Sequence, residues 1–389
     1  MSSSPLVLRN LRSYKKCPDR VRLSNEKPMA PQLISLLKAI SQDRQDSKLA
    51  SFGEAQVRWA IATGLGALLF RAIKPDTQAP ASPLWPLLRG ADLAARVLAM
   101  DHFDAMIEII DGCEGRMASL ALLKGMSICG QHYPAPYLRA MRDIDFLIES
   151  SDLAKINSLL LRLGYRQRSK QSSAFYQKHH HDVPWFHPQK GVWVEVHRAL
   201  FPPDSRLGKS MAFSSRNIKR ELRPSYFEGR KVKRLSAELQ IIHTASHWAQ
   251  ELNCEGNLFG LLDIIYLLRE SRQTLEWNTI LDWVQGSVAG THLYLLLSYL
   301  QKNEIIDLNG EILADLFKRQ PSFGKLNLKM AHFLIARYLE GKIPRGRVAR
   351  RNLDILWKTL LLDQGALRNL LLLPRNIFLP LRFRRALLS

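Results

Sequence analysis

Asp143 and Asp145 flank Ile144 in the run Arg142-Asp143-Ile144-Asp145-Phe146-Leu147-Ile148, and Glu195 is the lone acid in Val192-Trp193-Val194-Glu195-Val196-His197. Side chains alternate along a strand, so an extended first run aims Asp143 and Asp145 to one side and Ile144, Phe146 and Ile148 to the other. The second run sends its valines to one face and Glu195 to the opposite one, beside Trp193 and His197. Two adjacent carboxylates repel unless a cation lies between them, and Mg²⁺, which favours a few carboxylate oxygens together with phosphate oxygens, suits that position. Three carboxylates on neighbouring strands can hold two metal ions about 3.5–4 Å apart, the arrangement that activates an attacking oxygen and steadies a leaving oxygen in phosphoryl chemistry. Asp-x-Asp alone is a common tripeptide. Its weight here comes from the apolar strand around it, the capped helix after it and the lone acid that answers it downstream.

Several cationic residues stand near these acids in sequence. Lys124-Gly125 sits where a strand would hand over to a helix, a turn whose backbone N–H groups can approach phosphate while Lys124 adds a positive contact; the alternative is a plain turn with Lys124 solvated. Arg139 and Arg142 precede the acidic pair, and their guanidinium groups suit triphosphate oxygens or, without ligand, ion pairs with the carboxylates. His179, His180 and His181, followed by Asp182, cannot all reach one ion, because consecutive strand residues face opposite ways. They read either as a hairpin over the acidic face, with His181, His187 and His197 within reach of nucleotide phosphate, or as an exposed polar hairpin. His243 and His247 share a helix face without an intervening HExxH glutamate, and are expected to pack or hydrogen-bond near Asp263.

The elements that must position these groups follow from periodicity. Residues 1–28 are a basic arm without apolar period, and 29–112 read as a helical N-terminal region with a proline-rich linker at 74–86. Residues 113–235 form an α/β core. Within it a helix capped by Ser151 or Asp152 carries Leu153, Ile156, Leu159, Leu160 and Leu163 on one face and ends at Gly164. Ala174–Gln177 and Val183–Phe186 are shorter strand candidates. Helical patterning returns at 236–341, with segments near 237–252, 258–271, 276–285, 291–302 and 326–340, and again near 350–362. The expected fold class is α+β, a mixed sheet between a helical N-terminal segment and a helical C-terminal domain.

Composition narrows the partner. The 389 residues carry 56 Lys and Arg against 35 Asp and Glu, a formal charge of +21, so an anionic partner is expected. Cys17, Cys113, Cys129 and Cys254 are scattered, which argues against a zinc site or a disulfide scaffold and for a reducing, cytoplasmic setting. Neither a secretory signal nor a transmembrane run is evident; Ala60–Phe70 falls short of the roughly 20 residues a span needs. The tail 342–389 holds eleven Lys or Arg with only Asp354 and Asp363 as acids, interleaved with Trp357, Ile377, Phe378 and Phe383. Such a segment suits peripheral contact with an anionic membrane surface, a core-packing helix pair or, with no recognised motif, nucleic acid.

Leu123-Lys124-Gly125, Tyr137, Arg139, Arg142-Asp143-Ile144-Asp145, Gly164-Tyr165 and Val194-Glu195-Val196-His197 together resemble the bacterial uncharacterised nucleotidyltransferase family, part of the DNA polymerase β-like superfamily. The resemblance runs from about Arg96 to Ser271. It implies that Asp143 and Asp145 bind metal and that Glu195 is the third carboxylate, positioning or deprotonating an acceptor. The glycine-serine pair usual in the wider superfamily is replaced by Lys124-Gly125-Met126. The expected activity is metal-dependent transfer of a nucleoside monophosphate from ATP or another NTP to an unknown small-molecule, saccharide or protein acceptor, with two Mg²⁺ ions and release of pyrophosphate. Catalytic and metal roles fall to Asp143, Asp145 and Glu195, and nucleotide contacts to Lys124, Gly125, Arg139, Arg142, His181 and His197. The alternative is a catalytically silent relative that binds membrane or nucleic acid through its basic surface.

Overall fold

The computed structural model describes residues 30–42, 52–73, 84–114, 120–168, 176, 180–252, 258–271, 274–319 and 324–339. In chain order the helices before the sheet are α1 (Ala30–Ser41), α2 (Glu54–Ala62), α3 (Gly66–Ile73) and α4 (Trp85–Cys113). The mixed part follows as β1 (Ala121–Leu122), α5 (Lys124–His132), β2 (Asp143–Leu147), α6 (Leu153–Arg162), β3 (Arg166–Gln167), β4 (Trp185–Phe186), β5 (Trp193–His197), α7 (Ser215–Glu221), β6 (Leu222–Phe227) and β7 (Arg230–Leu235). The last described elements are α8 (Ala237–Gln250), α9 (Leu258–Ser271), α10 (Trp277–Val284), α11 (Val288–Lys302), α12 (Gly310–Arg319) and α13 (Gly324–Leu339). The fold is α+β, as the periodicity predicts. The basic arm, most of the proline-rich linker, His179, the 350–362 segment and the basic tail lie outside the described residues.

Chain contacts divide the protein into two compact units. Of the described residues, one unit holds those within 42–200 and 219–236; the other holds α1, 201–218 and those from Ala237 to Leu339. The first contains a seven-stranded mixed sheet in the order β3-β4-β5-β2-β1-β7-β6. β2 runs parallel to β5 and antiparallel to β1, while β1 meets β7 in parallel. Alternation sends Ile144, Phe146, Val194 and Val196 to one face, where they are buried with Leu122, Trp185 and Val232 against Met106, Ile109 and Ile110 of α4 and Ile156, Leu159 and Leu160 of α6. Each large side chain so buried contributes about 1.5–3 kcal/mol. The faces are therefore unequal: one is fixed by apolar packing, and that fixes which residues the other presents.

Two local features depart from expectation. The β6–β7 hairpin, rich in Arg and Lys, lacks an apolar alternation strong enough to announce it. Its two-residue turn does carry a signal, because Glu228 (φ 45) and Gly229 (φ 77) both take left-handed conformations, as the tight hairpin turn requires. At the start of α6, Asp152 occupies the capping position without a capping hydrogen bond; its carboxylate instead pairs with Lys155 at 2.9 Å.

The second unit is helical. α8 packs on α9, α10 and α11, and α1 packs on α9, burying Leu33, Leu36 and Leu37 within the unit. His243 is buried among aromatic rings, with centroids 5.5 Å from Phe201 and 6.3 Å from Phe213, and His247 lies 3.4 Å from Glu251. His243 thus packs in the core, as expected, while His247 faces Glu251; Asp263 is also buried.

Candidate active site

The parallel register of β2 and β5 builds the site. Asp143 lies opposite Trp193, Asp145 opposite Glu195 and Leu147 opposite His197. Because the valines and isoleucine between them are committed to the core, Asp143, Asp145, Trp193, Glu195 and His197 share the other face. Asp145 is nearly sealed, its side chain 3% exposed, while that of Glu195 is 24% exposed. Asp143 is partly exposed beside the sealed pair.

Two donors converge on one oxygen of Asp145. Lys124 Nζ donates to Asp145 Oδ1 at 2.8 Å, and His197 Nε2 donates to the same atom at 2.7 Å. The second bond fixes the imidazole with its proton on Nε2, leaving Nδ1 buried with no hydrogen-bond partner among the described residues. His197 Nε2 is also 3.9 Å from Glu195 Oε2. Burial works against the Asp145 anion, but the Lys124 charge and the His197 hydrogen bond outweigh it and hold the carboxyl far below its usual range. Lys124 is likewise pulled down by burial, yet Asp145, Glu195 and Asp143 together keep it above its ordinary value and charged. Burial dominates for His197, which is lowered to about 4 despite the Asp145 hydrogen bond, so the ring is neutral near pH 7.

The strand-to-helix turn places Lys124. Leu123 N–H donates to the Asp145 carbonyl at 3.0 Å, which ties the turn to β2, and Lys124 then takes a left-handed backbone (φ 46) as α5 begins. That conformation is costly for a side chain with a Cβ. The solvated-turn alternative does not hold, since the ammonium is engaged with Asp145. Gly125 allows a close approach: a Cβ there would meet Met141 Cγ at 2.9 Å and Arg139 Cζ at 3.3 Å. Arg139 thus reaches the first turn of α5 while donating to the Ala140 carbonyl at 2.7 Å, whereas Arg142 is exposed at the entry to β2.

The histidine segment lies over the same site. His181 pairs with His197 as an antiparallel bridge, and the His180 and His181 rings lie 5.3 and 5.6 Å from the His197 ring. Both are half-buried. His181 Nδ1 donates to the Asp182 carbonyl at 2.8 Å, and burial lowers the His181 pKa. His180 and His181 are thus half-buried beside His197 and do not form an exposed polar turn.

His197 points to Asp145 from a buried position, so its partner in this structure is a carboxylate. The expectation for His187 needs correction. His187 is outside the cluster altogether: its Nε2 donates to the Leu163 carbonyl at 3.0 Å, its Nδ1 accepts the Lys190 N–H at 3.1 Å, and its ring meets Tyr165 edge-on. Trp193 shares the Glu195 face, as the alternation predicts; what the register adds is its place opposite Asp143.

One oxygen of Asp145, one of Glu195 and a ring nitrogen of His197 all lie within 4.8 Å of one another, a donor group that fits a divalent cation. Asp143 lies one strand step further along. Two carboxylates, a buried imidazole with an orphaned nitrogen and a nearby ammonium make a site that can gather a cation and an anion together. Among the described residues no helix is long and apolar enough to cross a membrane.

No curated protein and no solved structure matches the chain. A family model described as an uncharacterised nucleotidyltransferase matches residues 54–303, a span that takes in every strand of the sheet and both acidic runs. With more than half of its length covered by that match, the chain belongs to the uncharacterised nucleotidyltransferase family.

Proposed function

We propose that the protein is a metal-dependent nucleotidyltransferase that joins a nucleoside monophosphate from an NTP to an acceptor oxygen and releases pyrophosphate. The observation that carries this reading is the Asp145–Glu195 register pair, with Asp143, Lys124 and His197 gathered on the same sheet face. The acceptor oxygen attacks the α-phosphorus, the bond from that phosphorus to the bridging oxygen breaks, and the pair of electrons leaves with pyrophosphate. Divalent cations such as Mg²⁺ would supply charge neutralisation of the phosphates and polarisation of the attacking oxygen. Asp145 and Glu195, with Asp143 beside them, are the residues that would hold them.

The chain's own groups divide the remaining work. Glu195, which is more open than Asp145, would orient the acceptor hydroxyl and take its proton. Lys124, the first turn of α5 at Gly125, and Arg139 form the phosphate side, where N–H groups and cations meet the triphosphate. Arg142 and His181 border this region and serve as further nucleotide contacts. His197 holds the Asp145 carboxylate in place.

Purified protein incubated with α-³²P-labelled NTPs, Mg²⁺ or Mn²⁺ and cell extract is expected to transfer label to an extract component with release of pyrophosphate. Asp145→Ala and Glu195→Ala should abolish it. Label transfer that survives both substitutions rejects the reading.

A further inference from the structure

We propose that Lys124 is an internal counter-ion that occupies Asp145 until a divalent cation takes its place, and that the displaced ammonium then moves to the triphosphate, so that metal and nucleotide enter as a pair. This rests on the reading of the acidic face as a metal-dependent nucleotidyltransferase site.

The geometry sets up the competition. A carboxylate oxygen offers two lone-pair positions, and Asp145 Oδ1 already receives Lys124 Nζ at 2.8 Å and His197 Nε2 at 2.7 Å. A cation bound at that oxygen must remove one of them. An ammonium left within hydrogen-bond distance of the same carboxylate would also repel a divalent ion at short range. The protein therefore holds a resident positive charge where a metal ion would bring its own.

Of the two donors, Lys124 is the one able to leave. His197 is 1% exposed, sits at the end of β5 and packs against the rings of His180 and His181. Lys124 has a flexible four-carbon stem, is 19% exposed, and springs from the first residue of α5. Its left-handed backbone is held in place by the Leu123–Asp145 hydrogen bond, so the side chain can swing while its anchor stays. The nearest destination for an expelled ammonium is an anion at the α5 N-terminus, where the Arg139 guanidinium lies against Gly125 and adds charge. Without such an anion the exchange strands a cation near the metal. With one, the exchange is neutralised.

The test measures metal affinity instead of turnover. EDTA-stripped full-length protein is titrated with Mn²⁺ and free ion is read by electron paramagnetic resonance, with no nucleotide present. Lys124→Met is expected to bind Mn²⁺ at least tenfold more tightly than wild type. Lys124→Gln, which keeps a donor but loses the charge, should also tighten binding, and Lys124→Arg should remain near wild type. The double variant Lys124→Met/Asp145→Asn should lose the gain. Thermal melts of each variant report folding, and Lys124→Gln carries the test if Lys124→Met does not fold. Unchanged or weaker Mn²⁺ binding by both neutral variants, with label transfer intact in wild type, overturns the counter-ion role alone. Absence of Mn²⁺ binding by every variant, together with absence of label transfer by wild type, overturns the functional reading and the counter-ion role together.

Discussion

Asp145 and Glu195 stand directly opposite each other across the parallel strands β2 and β5, yet one side chain is 3% exposed and the other 24%. Two carboxylates of similar chemistry thereby sit in different surroundings. The sealed one receives Lys124 and His197 on a single oxygen, Oδ1. The open one is reachable from solvent, and in the proposed reaction it is the one that meets the acceptor.

Glu195→Gln should therefore lower nucleotidyl transfer by about 10²–10⁴-fold, the usual range for loss of a general base, while shifting the thermal midpoint little. Asp145→Asn should remove transfer and also destabilise the fold by about 3 kcal/mol, because it leaves the Lys124 ammonium without its buried partner. Label transfer and thermal melts on the same preparations separate the two effects. Equal loss of stability in both variants would contradict the division of roles.

His197 makes stability depend on pH in a defined window. Burial lowers its pKa from 6.5 to about 4, so the unfolded chain binds the proton first as pH falls. The metal-free protein should lose stability from pH 6.5 down to pH 4, with a limiting slope of about 1.4 kcal/mol per pH unit. The depressed Asp145 carboxyl acts in a lower range: the stability it brings is present above its ordinary value of 3.8 and is lost below it. Urea denaturation across pH 4–7 should show a flatter profile for His197→Gln. An unchanged slope would assign the acid sensitivity to other groups.

Much of this site is legible in the sequence because strand alternation is a rigid rule. Ile144, Phe146, Val194 and Val196 can face only a core, and that choice settles where Asp143, Asp145 and Glu195 point. The helix after β2 and most C-terminal helices are equally readable from their 3.6-residue period, although the cap expected at Ser151 or Asp152 does not form. Less readable are contacts between residues far apart in sequence. Lys124 meeting Asp145 depends on a β1–β2 pairing that lasts only two residues, Ala121 with Leu147 and Leu122 with Phe146. The β6–β7 hairpin hides behind charge, since Arg230, Lys231 and Lys233 surround Val232 and the next residue on the Val232 face is a buried arginine, Arg234. Histidines mislead for a related reason: the ring serves as readily in a core as in a site, and only the partner distinguishes them.

Gly125 should affect nucleotide binding more than folding. A methyl group there would meet Met141 Cγ at 2.9 Å, Met141 Sδ at 3.2 Å and Arg139 Cζ at 3.3 Å, all toward the ends of flexible side chains. These can move aside at modest cost, but Arg139 would then leave the first turn of α5. Gly125→Ala is expected to raise the KM for NTP about tenfold, corresponding to roughly 1.4 kcal/mol of lost binding, with a smaller change in kcat. Steady-state kinetics over a range of NTP concentrations measures the split. A loss confined to kcat would place the disturbance at the carboxylates and not on the phosphate side.

His187 supplies the contrasting case, a buried histidine whose work is structural. It bridges two turns, donating to the Leu163 carbonyl behind α6 and accepting the Lys190 N–H ahead of β5, and its ring packs edge-on against Tyr165 at 4.9 Å. His187→Ala leaves that carbonyl and that N–H without their partner and opens a gap beside Tyr165, at a cost of about 1–3 kcal/mol for each group left unsatisfied in a buried setting. No atom of His187 is among the donors gathered at Asp145. The expected result is a clearly lowered thermal midpoint with label transfer per folded molecule close to wild type, measured well below the melting range. His197→Ala, by contrast, should lose transfer even where the protein remains folded, because the Asp145 carboxylate then keeps only its lysine. Were the two substitutions to lower transfer equally in folded protein, the distinction between the clamp at β5 and the cluster on the sheet face would fail.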